Sequence, residues 1–211
     1  MILIACGLQR EAAILSAEGI TAIPGGGDTA RLEAALEAAA SGATMILSCG
    51  IAGALDRALK AGDLVLSVPS PSPSGEGFSE ALTAALPHAH LGPIIGQDHI
   101  AATVAEKAAL HAATGALAVD MESHIAARVA ARHGLPFAAI RTISDTASET
   151  LPPAALVGMN PDGSMALGKV LLSLARDPAQ LPALIRNGRS AEAAFRALGR
   201  VADAIAALNK A

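Results

Sequence analysis

The chain has 211 residues, enough for one α/β domain with a full core. It is 52% hydrophobic and only 16% charged, and its net charge of −4 with no basic tract argues against nucleic acid as a partner. Much of the apolar content is alanine. The longest apolar stretch, Ala43 to Leu55, is broken at Ser48, Cys49 and Gly50 and falls short of the ~20 residues that span a bilayer.

Met1–Cys6 is apolar with no basic region before it, so it reads as a first strand and not as a signal peptide, and it breaks at Gly7. A helical pattern runs from about Arg10 to Ala17. The glycines of Pro24-Gly-Gly-Gly27 form a turn, Asp28 is a good N-cap, and Arg31–Ala40 is the helix that follows. Thr44–Cys49 and Asp63–Val68 read as strands, Pro69–Gly77 as an exposed loop and Ser79–Ala85 as a helix. Leu91–Ile95 is strand-like, Ala102–Ala113 helical, Leu117–Val119 a short strand, Glu122–His133 helical and Phe137–Ile143 strand-like. Strands alternating with helices predict an α/β fold: one domain over 1–211 with a central mixed, mostly parallel twisted sheet flanked by helices. From about residue 165 the chain turns helical, with Met165–Arg176 and Ala191–Leu208. Phe195, Leu198, Val201, Ile205 and Leu208 form a packing stripe on the last helix. Cys6 and Cys49 read as two reduced thiols of a cytoplasmic protein, and the six histidines have no zinc-binding spacing, so no metal is expected.

In an open α/β sheet, ligands bind beyond the carboxyl ends of the strands. Four polar or glycine groups fall there: Gly7 with Glu11, Ser48-Cys-Gly-Ile51-Ala52-Gly53, Asp120-Met121-Glu122, and Ser144-Asp145. Each has two readings. The glycines of the second group make either a tight turn or a backbone that a ligand approaches closely. Glu122 is either a first-turn acid favoured by the helix dipole or an acceptor for two vicinal hydroxyls. Asp145 is either a turn or cap residue or an acid that protonates a departing base. Glu11 and Arg10 are either the solvated first turn of a helix or a base and an anion ligand.

The segments Val119-Asp120-Met121-Glu122-Ser123, Arg141-Thr-Ile-Ser144-Asp145 and SCGIAGAL (Ser48–Leu55) resemble the nucleoside phosphorylase/nucleosidase family. The resemblance implies cleavage of the N-glycosidic bond of a purine nucleoside. Met121 and Glu122 would hold the ribose, Asp145 would protonate the base with Ser144 orienting it, and Ile51, Ala52 and Gly53 would line base and sugar. Base stacking would fall to Phe137, Phe78 or aliphatic groups. Counting from Gly7 puts Ala12 at the water-activating position of the nucleosidases, whereas alignment on the helix puts Glu11 there. In a phosphorylase, Arg10 with Gly7 and Ser48 would bind phosphate. The short form with GLQREA and AVDMES most resembles the hopanoid-associated phosphorylase branch, understood to remove adenine from adenosylhopane. That implies a lipid-linked nucleoside, transient membrane contact and a role in hopanoid biosynthesis. The resemblance further implies a homo-oligomer, no organic or metal cofactor, and inorganic phosphate as co-substrate if the reaction is phosphorolytic. The alternatives are a methylthioadenosine/adenosylhomocysteine-type nucleosidase and a non-catalytic nucleoside-binding protein.

Overall fold

The computed structural model describes residues 1–68 and 76–210. Eight strands form one sheet: β1 (Ile2–Cys6), β2 (Ile20–Pro24), β3 (Met45–Ala54), β4 (Leu64–Ser67), β5 (His90–Leu91), β6 (Ile94–Gly96), β7 (Ala118–Asp120) and β8 (Phe137–Asp145). The helices are α1 (Gln9–Leu15), α2 (Thr29–Ala40), α3 (Glu76–Ala85), α4 (Val104–Thr114), α5 (Ser123–His133), α6 (Pro153–Leu156), α7 (Leu167–Arg176) and α8 (Leu181–Leu208). The strand order is β2-β1-β3-β8-β4-β5. The pairs β1/β2, β1/β3, β3/β8 and β4/β5 are parallel, and β4 runs antiparallel to β8. The far end of β3 changes neighbour, pairing antiparallel with β7, which in turn pairs parallel with β6. The sheet is thus mixed and mostly parallel, as the sequence predicts.

All five residues of β1 are buried, the run of apolar side chains that a strand covered on both faces requires. Alternate residues point to opposite faces. Leu3, Ala5 and Ile46 meet Leu32 and Leu36 of α2 and Ile125, Ala126 and Val129 of α5. On the other face Ile2, Ile4 and Leu47 meet Leu15 of α1 and Phe195, Leu198, Val201 and Ile205 of α8, with Leu208 half-buried against them. The expected stripe on the last helix is therefore a core contact. Cys6 and Cys49 are free and buried. Burial pushes both thiols up, Cys49 to about 12. Among the described residues no helix is long and apolar enough to cross a membrane.

Several boundaries differ from the sequence reading. β2 and α6 were not expected. The last helix begins at Leu181 and not at Ala191, because Pro182 sits in its first turn, where a missing N–H costs nothing. Leu91–Ile95 is split between β5 and β6. Residues 69–75 of the expected loop lie outside the described residues, and its end is helical, since α3 starts at Glu76. Two corrections bear on function: β3 continues through the glycine segment to Ala54, and β8 continues through Ser144 to Asp145.

Candidate active site

Parallel pairing brings the ends of β1, β3 and β8 to one edge of the sheet. Ala5 is level with Ser48, and Gly50 is level with Arg141. The Arg141 side chain is fully buried. Its Nε donates to Asp120 Oδ2 at 2.7 Å, and its Nη2 donates to Ser48 Oγ at 2.5 Å and lies 3.5 Å from Glu122 Oε2. Its Nη1 is buried with no hydrogen-bond partner. The other oxygen of Asp120 accepts the N–H groups of Glu122 and Ser123 at 2.9 and 2.7 Å. Asp120 therefore satisfies the start of α5, a duty that a first-turn Glu122 does not perform, and Glu122 makes no side-chain cap bond.

Glu11 arrives from the first turn of α1 and is buried. Its Oε2 accepts the N–H groups of Gly7 and Leu8, both at 2.7 Å, and its Oε1 accepts that of Ile51 in β3, also at 2.7 Å. A Cβ added at Gly50 would stand 2.7 Å from Glu11 Oε1 and 3.0 Å from Arg141 Nη1, and one added at Gly7 would stand 3.0 Å from Glu122 Oε1 and 3.4 Å from Glu11 Oε2. Glycine at both positions lets the three side chains meet over bare backbone. Among the two alignments open in the sequence, the fold puts Glu11, and not Ala12, into this cluster.

Three acids share one guanidinium. Burial would raise Asp120, but the Arg141 charge and its hydrogen bond outweigh it and hold the carboxyl below its usual range. Glu11 is pushed up by burial, against the N–H bonds it accepts and the Arg141 charge. Glu122 is pushed up to about 8, first by burial and then by the charges of Asp120 and Glu11, which together exceed the pull of Arg141. A carboxyl with a raised folded value adds stability that is full below the unfolded value, 4.5, and is lost as pH rises through about 8. Glu122→Gln removes that loss. The variant is expected to melt several degrees above the parent at pH 8.5 and level with it at pH 5, and identical pH slopes in a thermal-melt series would disprove the assignment.

The second cluster lies three residues further along β3, roughly 10 Å away at strand spacing. Gly53 is level with Asp145, after a register shift between Ala52 and Gly53, and a Cβ there would stand 3.1 Å from Asp145 Oδ2. Asp145 is 6% exposed. Ser144 Oγ reaches both Asp145 Oδ1 at 2.8 Å and the Ala52 carbonyl at 3.1 Å. Lys107 of α4, 0% exposed, donates to Asp145 Oδ2 at 2.5 Å and to the carbonyls of Thr146 and Glu149 at 2.8 and 2.9 Å. Lys107 carries no signal in the sequence, where it is one more lysine in an alanine-rich helix.

Met121 lies in sequence between Asp120 and Glu122 of the first cluster and is half-buried. A Cβ at Gly27 would meet Met159 Cε at 3.2 Å and Met121 Cε at 3.6 Å, so the glycine turn, Met121 and the segment around Met159 converge. Gly25 and Gly26 give their N–H groups to the carbonyls of Cys6 and Gly7, and Asp28 caps α2 by accepting from Arg31 N, as the turn-plus-cap reading expects.

Two expected site residues are elsewhere. Phe137 starts β8, level with Ile46 and half-buried against the α2/α5 core, eight residues or roughly 26 Å of strand from Asp145. It cannot stack on a base held there. Arg10 points outward, paired with Glu192 and lying over the Phe195 ring at 3.9 Å. Of the other two expected phosphate ligands, Gly7 gives its N–H to Glu11 and Ser48 receives Arg141, so the three do not form an anion cradle.

A mixed α/β sheet with acids, glycines and one buried arginine at this edge defines an enzyme of the nucleoside phosphorylase/nucleosidase class. The family model of the Phosphorylase superfamily matches residues 71–176, half of the chain, and the chain belongs to that superfamily. No curated protein matches it. Among solved structures it is similar to the 5′-methylthioadenosine/S-adenosyl homocysteine nucleosidase of Helicobacter pylori, at 18% identity over 96% of this chain and 97% of that one, with a TM-score of 0.60. The corresponding nucleosidase of S. pneumoniae matches at 17% identity over 97% and 99%, with a TM-score of 0.60. The futalosine hydrolase of Helicobacter pylori matches at 19% identity over 68% and 87%, with a TM-score of 0.55. Identities this low speak to the fold alone.

Proposed function

We propose that the protein hydrolyses the N-glycosidic bond of an adenine nucleoside, with Glu11 activating water, Glu122 and Met121 holding the ribose, and Asp145 protonating the departing base. The carrying observation is the placement of two acid groups at one edge of the sheet: Glu11 with Arg141 over Gly50 and with Glu122 over Gly7, and Asp145 over Gly53. That separation is one that a ribose and its base bridge. Bond cleavage leaves an electron pair on the base, which a positioned acid neutralises, and positive charge on the sugar, which a carboxylate beneath it stabilises. The backbone of Ile51, Ala52 and Gly53 lines the span between.

Hydrolysis is favoured over phosphorolysis because the cations that would hold a phosphate anion are already engaged: Arg141 by Asp120 and Ser48, and Arg10 by Glu192. The unpartnered Nη1 of Arg141 beside Glu11 Oε1 offers a donor and an acceptor to one water. The names of the similar structures, two nucleosidases and a hydrolase, agree with this reading. The narrower implication of the sequence resemblance, release of adenine from adenosylhopane in hopanoid biosynthesis, rests on the GLQREA and AVDMES segments. A homo-oligomer would cover part of the apolar surface that Leu167, Leu171, Leu172, Leu181 and Ile185 expose on α7 and the start of α8.

The test is adenine release from adenosine and from adenosines with methylthio and longer alkyl groups at the 5′ position, with and without phosphate. Hydrolysis is expected, with equal rates in both conditions and loss of turnover in Glu11→Gln. Release only with phosphate would replace water by phosphate as the nucleophile. No release from any of them would leave a binding protein.

A further inference from the structure

Lys107 is a fully buried charged side chain near the site that the proposed chemistry leaves unused. Lysine is almost never fully buried unless paired, and burying its ammonium is costly. Here the three N–H bonds of the ammonium are all taken, by Asp145 Oδ2, the Thr146 carbonyl and the Glu149 carbonyl. Two backbone carbonyls alone do not call for a charge, and a buried ion pair is commonly replaceable by apolar side chains without loss of stability. The third partner is the distinctive one.

The surroundings hold this pair in a single arrangement. Thr103 and Glu106 cap the start of α4 reciprocally, which fixes the turn that carries Lys107. The Thr146–Glu149 turn is closed by the Glu149 carboxylate accepting from Thr146 N and Oγ1, both at 2.9 Å, and Leu151 N donates to the Ala102 carbonyl at 2.8 Å. Lys107 reaches across from α4 into this turn. Asp145 Oδ2 is thereby committed to Lys107, and Oδ1 is left with only a shared hydroxyl, that of Ser144.

We propose that Lys107 is the positioning residue of the departing-base acid: it orients Asp145 so that Oδ1 faces the base and stabilises the carboxylate that forms when the proton leaves. The proposal rests on the nucleoside-cleaving reading above. In the step, a proton that Asp145 takes from solvent once the nucleoside has bound passes to a base nitrogen as the C1′–N9 bond breaks with its electron pair going to the base, and water adds to C1′ while giving a proton to Glu11. Lys107 keeps all its protons, and solvent exchange returns the protons on Glu11 and Asp145 to their starting places. Negative charge grows on Asp145 only as the bond breaks, so an ammonium at 2.5 Å favours the transition state over the bound substrate.

The test compares two leaving groups in one preparation: adenine, which needs a proton, and the 4-nitrophenolate of 4-nitrophenyl β-D-riboside, which leaves without one. Lys107→Met is expected to slow adenine release by roughly 10²-fold, within the range a positioned acid supplies, while nitrophenolate release stays close to that of the parent. Lys107→Arg, which keeps the charge, is expected to recover much of the adenine rate. The ratio of the two rates cancels any fraction of unfolded protein. If Lys107→Met does not fold, Lys107→Gln keeps donors to the two carbonyls and carries the same comparison. Equal losses on both leaving groups, or no loss on adenine, would overturn the proposal. A parent protein that cleaves neither substrate would instead overturn the nucleosidase reading.

Discussion

An Asp145→Asn variant is expected to release adenine ~10²–10⁴-fold more slowly than the parent while binding the nucleoside nearly as well. Asparagine keeps the shape of the side chain and an oxygen for Lys107, but it has no proton to give. Its amide retains the contact with Gly53 and a partner for Ser144. The folded state is expected to persist at a lower melting temperature, because the Lys107 ammonium then faces neutral acceptors only. Single-turnover adenine release beside calorimetric binding separates the two effects. Turnover and binding falling together would remove Asp145 from the acid role.

Arg141→Met should have the largest effect on stability, a loss of about 3–5 kcal/mol, comparable to much of a domain's total. The guanidinium is the cation that Asp120 pairs with directly, and it faces Glu11 and Glu122 across glycine backbone. Without it those acids are buried together with nothing of opposite sign to balance them. The sign with pH follows. The remaining carboxyls take up protons as pH falls, so the variant is expected to be closer to the parent at pH 5 than at pH 8. Adding Glu122→Gln to Arg141→Met should restore part of the loss, a coupling that a double-mutant cycle measures. A melting temperature unchanged by Arg141→Met would show that the cluster is held by other means.

The sheet was legible because its central strands are buried on both faces and read as continuous apolar runs, as in Met1–Cys6 and Phe137–Ile143. β2 was not, since Ile20–Pro24 is short, half-exposed and ends in proline. The glycine segment after Ser48 reads in sequence as lying past the strand's end, as a tight turn or as backbone lining a ligand, because glycine usually marks a break. Here Gly50 and Gly53 stay in the strand, and what they make room for is side chains from two other elements, α1 and β8, which no local pattern reveals. Asp145, Glu122 and Glu11 could be singled out as carboxylates beside apolar runs. Their partners could not: Lys107 reaches Asp145 from another helix, and Arg141 was seen only as part of a motif. Phe137 was chosen as a stacking residue for want of tyrosine and tryptophan, and strand length alone places it at the wrong end of β8.

β3 carries the points over which both clusters stand, Gly50 and Gly53, and pairs with β8 from Ile46 to Gly53 with one register shift between Ala52 and Gly53. The two cannot drift apart or together without unpairing the middle of the sheet. The two clusters are therefore preorganised: the spacing between them is set when the chain folds, before any ligand arrives. On the proposed function a nucleoside would meet a fixed ruler, with little conformational entropy lost at these positions on binding. Rearrangement on capture is left to what packs against the ruler from outside, the glycine turn before α2 and the segment around Met159. Comparison of free and ligand-bound states should find backbone displacement in those flanks, with β3 and β8 superposing closely.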